Sequence, residues 1–246
     1  MRAAGRWNGT MQLRVAAQLA AGLVYPRRCP FCDRVLGWMP DCPDCAAELA
    51  KLRRAVPRLP ATEHTLRDVT GAAAVWRYDG CVRQAILRFK NGGRACYGET
   101  LGAEMARAVF GCNYDIKRGI ITFNGVPPLA RFDLVVPVPS SERGRGYEPP
   151  ELLAVPLARA LGIPLEKRAL RKTRVTHTQK GLSAAERLQN LRGAFCVRNA
   201  QRIEGRRILL VDDVITTGAT ISTCAAALMQ AGALEVFAVA AAHTEL

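Results

Sequence analysis

From residue 132 onward the chain alternates short apolar runs with stretches of helical periodicity. FDLVVPVP, RRILLVDD and EVFAVAAA read as strands, with ELLAVPLARALG and STCAAALMQAG as helices between them. Strands alternating with helices predict βαβ units on a parallel α/β sheet. The apolar runs within 133–138 and 208–211 are continuous, as strands covered by helices on both faces require. Upstream, GAAAVWRYDG predicts a strand. Val82, Ala85, Ile86 and Phe89 then fall at helical spacing, and Asn91, Gly92 and Gly93 stop that helix. A further helix is predicted over 97–110, with a loop beyond it.

The first 60 residues follow a different pattern. Residues 15–24 form an apolar stretch interrupted by Gln18, which reads as a short amphipathic helix and not as a secretory leader. Residues 25–50 set cysteines among Pro, Gly and Asp, a compact knuckle with few large apolar residues. Residues 53–68 hold two prolines and little periodicity, the pattern of a linker that would uncouple its two sides. The expected division is therefore 1–60 for helix, cysteine module and linker, and 61–246 for the α/β domain. A chain of 246 residues suits one such domain plus a small module. No run reaches the roughly eighteen apolar residues of a membrane helix, so a soluble protein without a transmembrane segment is expected.

Nine cysteines is an odd number, and four of them form two CxxC pairs: Cys29 with Cys32, and Cys42 with Cys45. That usage points to metal ligation in a reducing, cytoplasmic compartment more than to a disulfide framework. Each CxxC turn aims two thiolates at one point, and four thiolates complete a tetrahedral structural Zn²⁺ site. The metal would supply folding energy that so small a module cannot draw from a core. A redox pair and an iron–sulfur site are the alternatives. Cys81, Cys96, Cys112, Cys196 and Cys224 read as ordinary core or surface cysteines.

The chemistry concentrates in residues 208–220, ILLVDDVITTGAT. A buried strand carries Asp212 and Asp213 to its carboxyl end, and a Thr/Gly loop then opens a helix. Backbone N–H groups of the loop and the positive helix N-terminus suit a phosphate, with hydroxyls from Thr216, Thr217 and Thr220 and close approach at Gly218 and Ala219. Two carboxylates nearby can accept from vicinal ribose hydroxyls. The bland alternative is an acidic strand end beside an ordinary helix cap. The formal net charge of +14 is uneven, with twelve basic residues between 167 and 207 against Glu186 and Glu204. Such a segment faces water, phosphates or nucleic acid.

The thirteen-residue pattern closely resembles the signature of type I phosphoribosyltransferases. That resemblance implies binding of phosphoribosyl pyrophosphate with Mg²⁺, the acidic pair on the ribose and the loop on the 5-phosphate. DLVVPVPSSERGRGYEPPELLA resembles the pyrophosphate loop of the same fold, which implies roles for Ser140, Ser141, Arg143 and Arg145. RKTRVTHTQKGLSAAERLQNLRGAF resembles its mobile hood, with Arg171 and Lys172 over the diphosphate. An N-terminal zinc ribbon ahead of such a domain is similar to the ComF competence-protein family, as are YDGCVRQAILRFKNGG and QKGLSAAERLQNLRGAF. By that resemblance Lys90 is a ligand contact. Glu148 and Pro149 depart from the family's usual amides after RGY. The family implies a role in DNA uptake during natural transformation, with single-stranded DNA and DNA-uptake proteins as partners. The alternative is an active transferase acting on an unidentified acceptor.

Overall fold

The computed structural model describes residues 26–37, 39, 41–60, 62, 64, 66–117, 119–125, 131–140, 146–173 and 193–245. The helix expected at 15–24 lies outside them. In chain order, α1 (Pro43–Leu52) and β1 (Arg58–Leu59) precede β2 (Gly71–Arg77), α2 (Gly80–Asn91) and α3 (Tyr97–Phe110). Then come β3 (Tyr114–Lys117), β4 (Ile120–Phe123), β5 (Leu134–Pro137) and α4 (Pro149–Leu161). The remainder is β6 (Leu170–Lys172), β7 (Phe195–Val197), β8 (Arg207–Ile215), α5 (Ala219–Gln230) and β9 (Glu235–His243).

The central sheet has the order β1-β2-β9-β8-β5, with β1 antiparallel to β2 and the other pairings parallel. The β5–α4–β8 and β8–α5–β9 connections are the expected crossovers. Val75, Leu209, Val211 and Val239 pack on one face with α2, α3 and α4. Ala72, Ile208, Leu210 and Val236 pack on the other with α5 and the β6–β7 ribbon. Two covered faces explain why β8 lacks polar alternation until Asp212. β5 is an edge strand, which is where Pro137 can lie without costing a ladder hydrogen bond. On the first face α3 and α4 approach closely at Gly102. A Cβ there would lie 2.3 Å from Pro156 Cγ and 2.6 Å from the Leu153 carbonyl oxygen.

Two stretches differ from expectation. The loop after α3 contains an antiparallel hairpin, β3–β4, whose Tyr114 and Phe123 rings meet edge to face at 6.0 Å. The expected linker is built into the sheet: Arg58 and Leu59 pair with Ala73 and Ala72, and Arg54 N–H donates to Val75 O at 2.9 Å. Pro57 and Pro60 bracket this two-residue strand, so it has no room to show a period. Among the described residues no helix is long and apolar enough to cross a membrane.

Candidate functional site

β8 ends in the acidic pair. Leu209 and Val211 point into the cluster that holds α2, and continuing that alternation aims Asp213 at the same helix. Lys90, in the last turn of α2, meets it there, with Nζ 2.7 Å from Asp213 Oδ1. Burial works against the Lys90 charge, but the Asp213 carboxylate and the more distant Asp212 outweigh it, so the ammonium titrates above its ordinary value. Asp212 falls on the α5 side, near the fully buried Cys224. Burial and the adjacent Asp213 charge push the Asp212 carboxyl up to about 8, against the opposing pull of Lys90. The Asp213 carboxylate thus has a lysine partner, while Asp212 holds its proton to higher pH than an ordinary aspartate.

The loop from Thr216 to Gly218 turns the chain into α5. Gly218 has φ +76°, a left-handed backbone that favours glycine, and a Cβ on it would lie 2.4 Å from Leu66 Cδ2, whose side chain would have to shift. Thr216 is exposed, while Thr217 and Thr220 are half-buried beside the helix N-terminus. The loop therefore sets its threonines at the N-terminus of α5, where free helix-end amides favour an anion. Ser222, one turn on, accepts from Arg67 N–H at 3.0 Å and so pins the preceding segment over the loop.

At the end of β5, Ser140 N–H donates to Glu148 Oε2 at 3.0 Å. Glu148 thus closes the base of the loop in which an amide was expected. Tyr147 stacks on Phe89 at 6.1 Å and donates its hydroxyl to the Phe89 carbonyl, so α2 reaches this loop as well. Ser141, Arg143 and Arg145 lie outside the described residues, as does 174–192, most of the expected hood. Its base is the antiparallel β6–β7 ribbon. There Arg171 and Lys172 separate: Arg171 Nε lies 3.1 Å from Cys196 Sγ, and Lys172, its charge disfavoured by burial, lies near Cys224. Several other basic residues of this region pair internally, Lys167 with Glu151 at 2.6 Å, Arg202 with Glu166, and Arg207 with Asp133 at 2.9 Å.

The four cysteines Cys29, Cys32, Cys42 and Cys45 form a second centre, their sulfurs all within 4.8 Å of one another. Cys29 and Cys45 lie 3.9 Å apart and Cys32 and Cys42 3.6 Å. A tetrahedron with metal–sulfur bonds of about 2.3 Å has edges of roughly 3.8 Å, so the set fits a four-thiolate metal such as zinc. Three of the four are buried and Cys32 is exposed. Burial pushes the metal-free Cys29 thiol up to about 11, so loading a metal must displace protons.

Residues 151–244 match the phosphoribosyl transferase domain family. Competence protein F of Haemophilus influenzae is 38% identical over 108 residues, 42% of this chain and 47% of that protein. The DNA utilization protein YhgH of Escherichia coli K12 is 40% identical over 107 residues, 42% and 46% of the two chains. The matched part spans about half the length of these relatives. Competence protein ComFC of Bacillus subtilis is 28% identical over 204 residues, 78% of each chain. The chain is thus similar, over part of its length, to proteins named for competence and DNA utilization. Among solved structures, a glutamine phosphoribosylpyrophosphate amidotransferase from B. subtilis is 26% identical over 61% of this chain and 26% of its own, with a TM-score of 0.36.

The chain thus joins a phosphoribosyltransferase-type domain to a cysteine cluster. Of the residues that the sequence singled out, the fold brings together Asp212, Asp213, the Thr216–Thr220 loop and Lys90. Arg171 is directed elsewhere. Glu48, Arg88, Asp33 and Tyr147 were not singled out, yet each fixes an element of this site or of the cysteine centre. Asp33 directly follows Cys32, and Arg88 and Tyr147 sit inside the family-like segments, but nothing in their spacing names their partners.

Proposed function

We propose that this protein binds phosphoribosyl pyrophosphate with Mg²⁺ and handles single-stranded DNA on the cytoplasmic side during DNA uptake. The observation that carries the ligand reading is the convergence of Lys90, the acidic pair and the Thr/Gly loop at the carboxyl end of β8. Asp212 and Asp213 accept from the ribose hydroxyls. Thr216, Thr217, Gly218, Ala219 and Thr220 surround the 5-phosphate. Ser140, Ser141, Arg143 and Arg145 face the diphosphate, with Lys172 and Arg171 at the base of the hood, and Lys90 holds the acidic pair in register. Mg²⁺ arrives on the diphosphate, where it neutralises charge and keeps several waters. Cys29, Cys32, Cys42 and Cys45 hold a structural Zn²⁺ that leaves no open position for chemistry.

The DNA reading rests on the names of the relatives and on the basic surface. A positive groove that neutralises phosphates releases counterions, so binding to single strands falls steeply with salt and shows little sequence preference. The internal pairing of Lys167, Arg202 and Arg207 shifts this task toward the basic residues at 168–198. An intact acidic pair and loop also suit a transferase acting on an unidentified acceptor, which would release pyrophosphate.

A calorimetric titration with phosphoribosyl pyrophosphate tests the ligand reading. Binding is expected only with Mg²⁺. Asp213→Asn removes a charge-assisted acceptor and weakens it about ten- to a hundredfold. Equal affinity in wild type and variant would show that the carboxylates have been given the wrong role. Filter binding to single strands over a salt series tests the second reading, and absence of binding at low salt removes it.

A further inference from the structure

The cysteine centre grips α2 at both ends. Near its C-terminal end, Arg88 donates through one guanidinium nitrogen to the carbonyls of Pro30, at 3.2 Å, and Phe31, both inside the first CxxC turn. Just beyond the helix, Arg94 Nη2 and Tyr97 Oη each lie 2.6 Å from a different oxygen of Asp33, the residue after Cys32. Tyr97 is 1% exposed, and Asp33 adopts a left-handed φ of +63° that turns its carboxylate toward them. At the opposite end, the second CxxC pair opens α1, and Glu48 of α1 accepts from Cys81 N–H at 2.8 Å in the first turn of α2. The helix held this way carries Lys90 onto Asp213 and Phe89 onto Tyr147.

We propose that the cysteine centre is a positioning device for the phosphoribosyl site, acting through α2. Arg88, Asp33 and Glu48 are the positioning residues, and Lys90 is the group that they place. The four thiolates fix the turns whose carbonyls and carboxylate receive Arg88, Arg94 and Tyr97. When those turns slacken, the last turn of α2 moves with them, and Lys90 loses its fixed place beside Asp213. An element held rigidly by one centre and presented to another couples the two thermodynamically. The placement of Lys90 stands apart from the ligand assignment, while its consequence for affinity rests on that assignment.

The test uses the full-length, metal-loaded protein and two variants that leave all four cysteines in place, Arg88→Ala and Asp33→Asn. Arg34→Ala is the control, because Arg34 pairs at 2.6 Å with Asp44 and so joins the two halves of the module without reaching α2. Each protein is labelled briefly with limiting acetic anhydride, and Lys90 acetylation is read by mass spectrometry against the exposed Lys117. Metal content and far-ultraviolet circular dichroism are measured alongside. Lys90 should react about fivefold faster in both clamp variants, the low end of coupling between sites, with metal and helix content retained and the control unchanged. Affinity for phosphoribosyl pyrophosphate should fall in the same two proteins and not in the control. Unchanged Lys90 reactivity in variants that keep their metal overturns the coupling, as does an equal rise in the control. Faster labelling in a protein whose wild type binds no phosphoribosyl pyrophosphate supports the coupling and overturns the ligand reading instead. Should Arg88→Ala lose its fold, Asp33→Asn decides the matter alone.

Discussion

Lys90 and Asp213 join a helix on one face of the sheet to the end of a central strand, across 2.7 Å, with Asp213 only 9% exposed. Removing the lysine strands a carboxylate beside a second one. Lys90→Met should lower the unfolding free energy by about 1 to 3 kcal/mol, between the values for exposed and buried pairs. Urea unfolding measures it. Because the folded-state value of Lys90 is raised, the pair's contribution is complete below the ordinary lysine range and is lost as pH rises through the raised value. The wild-type and Lys90→Met stabilities should therefore converge at high alkaline pH.

Asp212 gives a second pH signature. Its folded value near 8 lies above that of an unfolded aspartate, so the stability linked to its proton is complete below about pH 4 and is lost as pH rises through 8. If ribose hydroxyls require the ionised form, ligand binding at neutral pH must expel that proton. Titrations in two buffers of different ionisation enthalpy should then show proton release at pH 7. Affinity should climb up to about tenfold per unit toward pH 8 and flatten above it. Binding without proton release at pH 7 would mean that Asp212 stays protonated against the ligand.

The metal centre should govern the whole fold. Cys29, Phe31 and Leu36 share one buried cluster with Trp76, Phe89 and Leu101, so the module has no core of its own to melt. The stretch expected to act as an uncoupling linker is also paired into the sheet through Arg58 and Leu59. We expect one zinc per chain by elemental analysis. Its removal by a chelator should lower the midpoint of a single thermal transition and not produce two. Cys32→Ser should act in the same direction, through loss of one thiolate.

Gly102 tests the packing beneath the site. Gly102→Ala drives a methyl into the Leu153 carbonyl, which belongs to α4 and cannot swing aside like a side chain. A loss of about 1 to 3 kcal/mol is expected from overpacking, read by thermal or urea unfolding.

Much of the framework was legible because it rests on local signals. Gly111, with a left-handed φ of +70°, ends α3 where periodicity placed its end, and the ILLVDDVITTGAT run holds strand, acids, turn and helix start in consecutive residues. The hairpin left a fainter trace. Tyr114 and Ile116 alternate with Asp115 and Lys117 over only four residues, too short for a period to stand out. The clamps on α2 left no trace at all. Arg88 and Glu48 were not singled out, and only the tertiary fold discloses that their partners are turn carbonyls and a helix-end amide. Glu148 was visible as a departure from pattern, but its bond to Ser140 was not.

The two margins of the central sheet offer little to a foreign strand. One is β1, two residues long between prolines, and the other is β5, four residues ending in Pro137 with Pro139 just beyond. A proline presents no N–H, and so short a rim cannot template an added chain. Among the described residues, growth into cross-β fibrils by adding strands to the central sheet is therefore disfavoured at both of its margins.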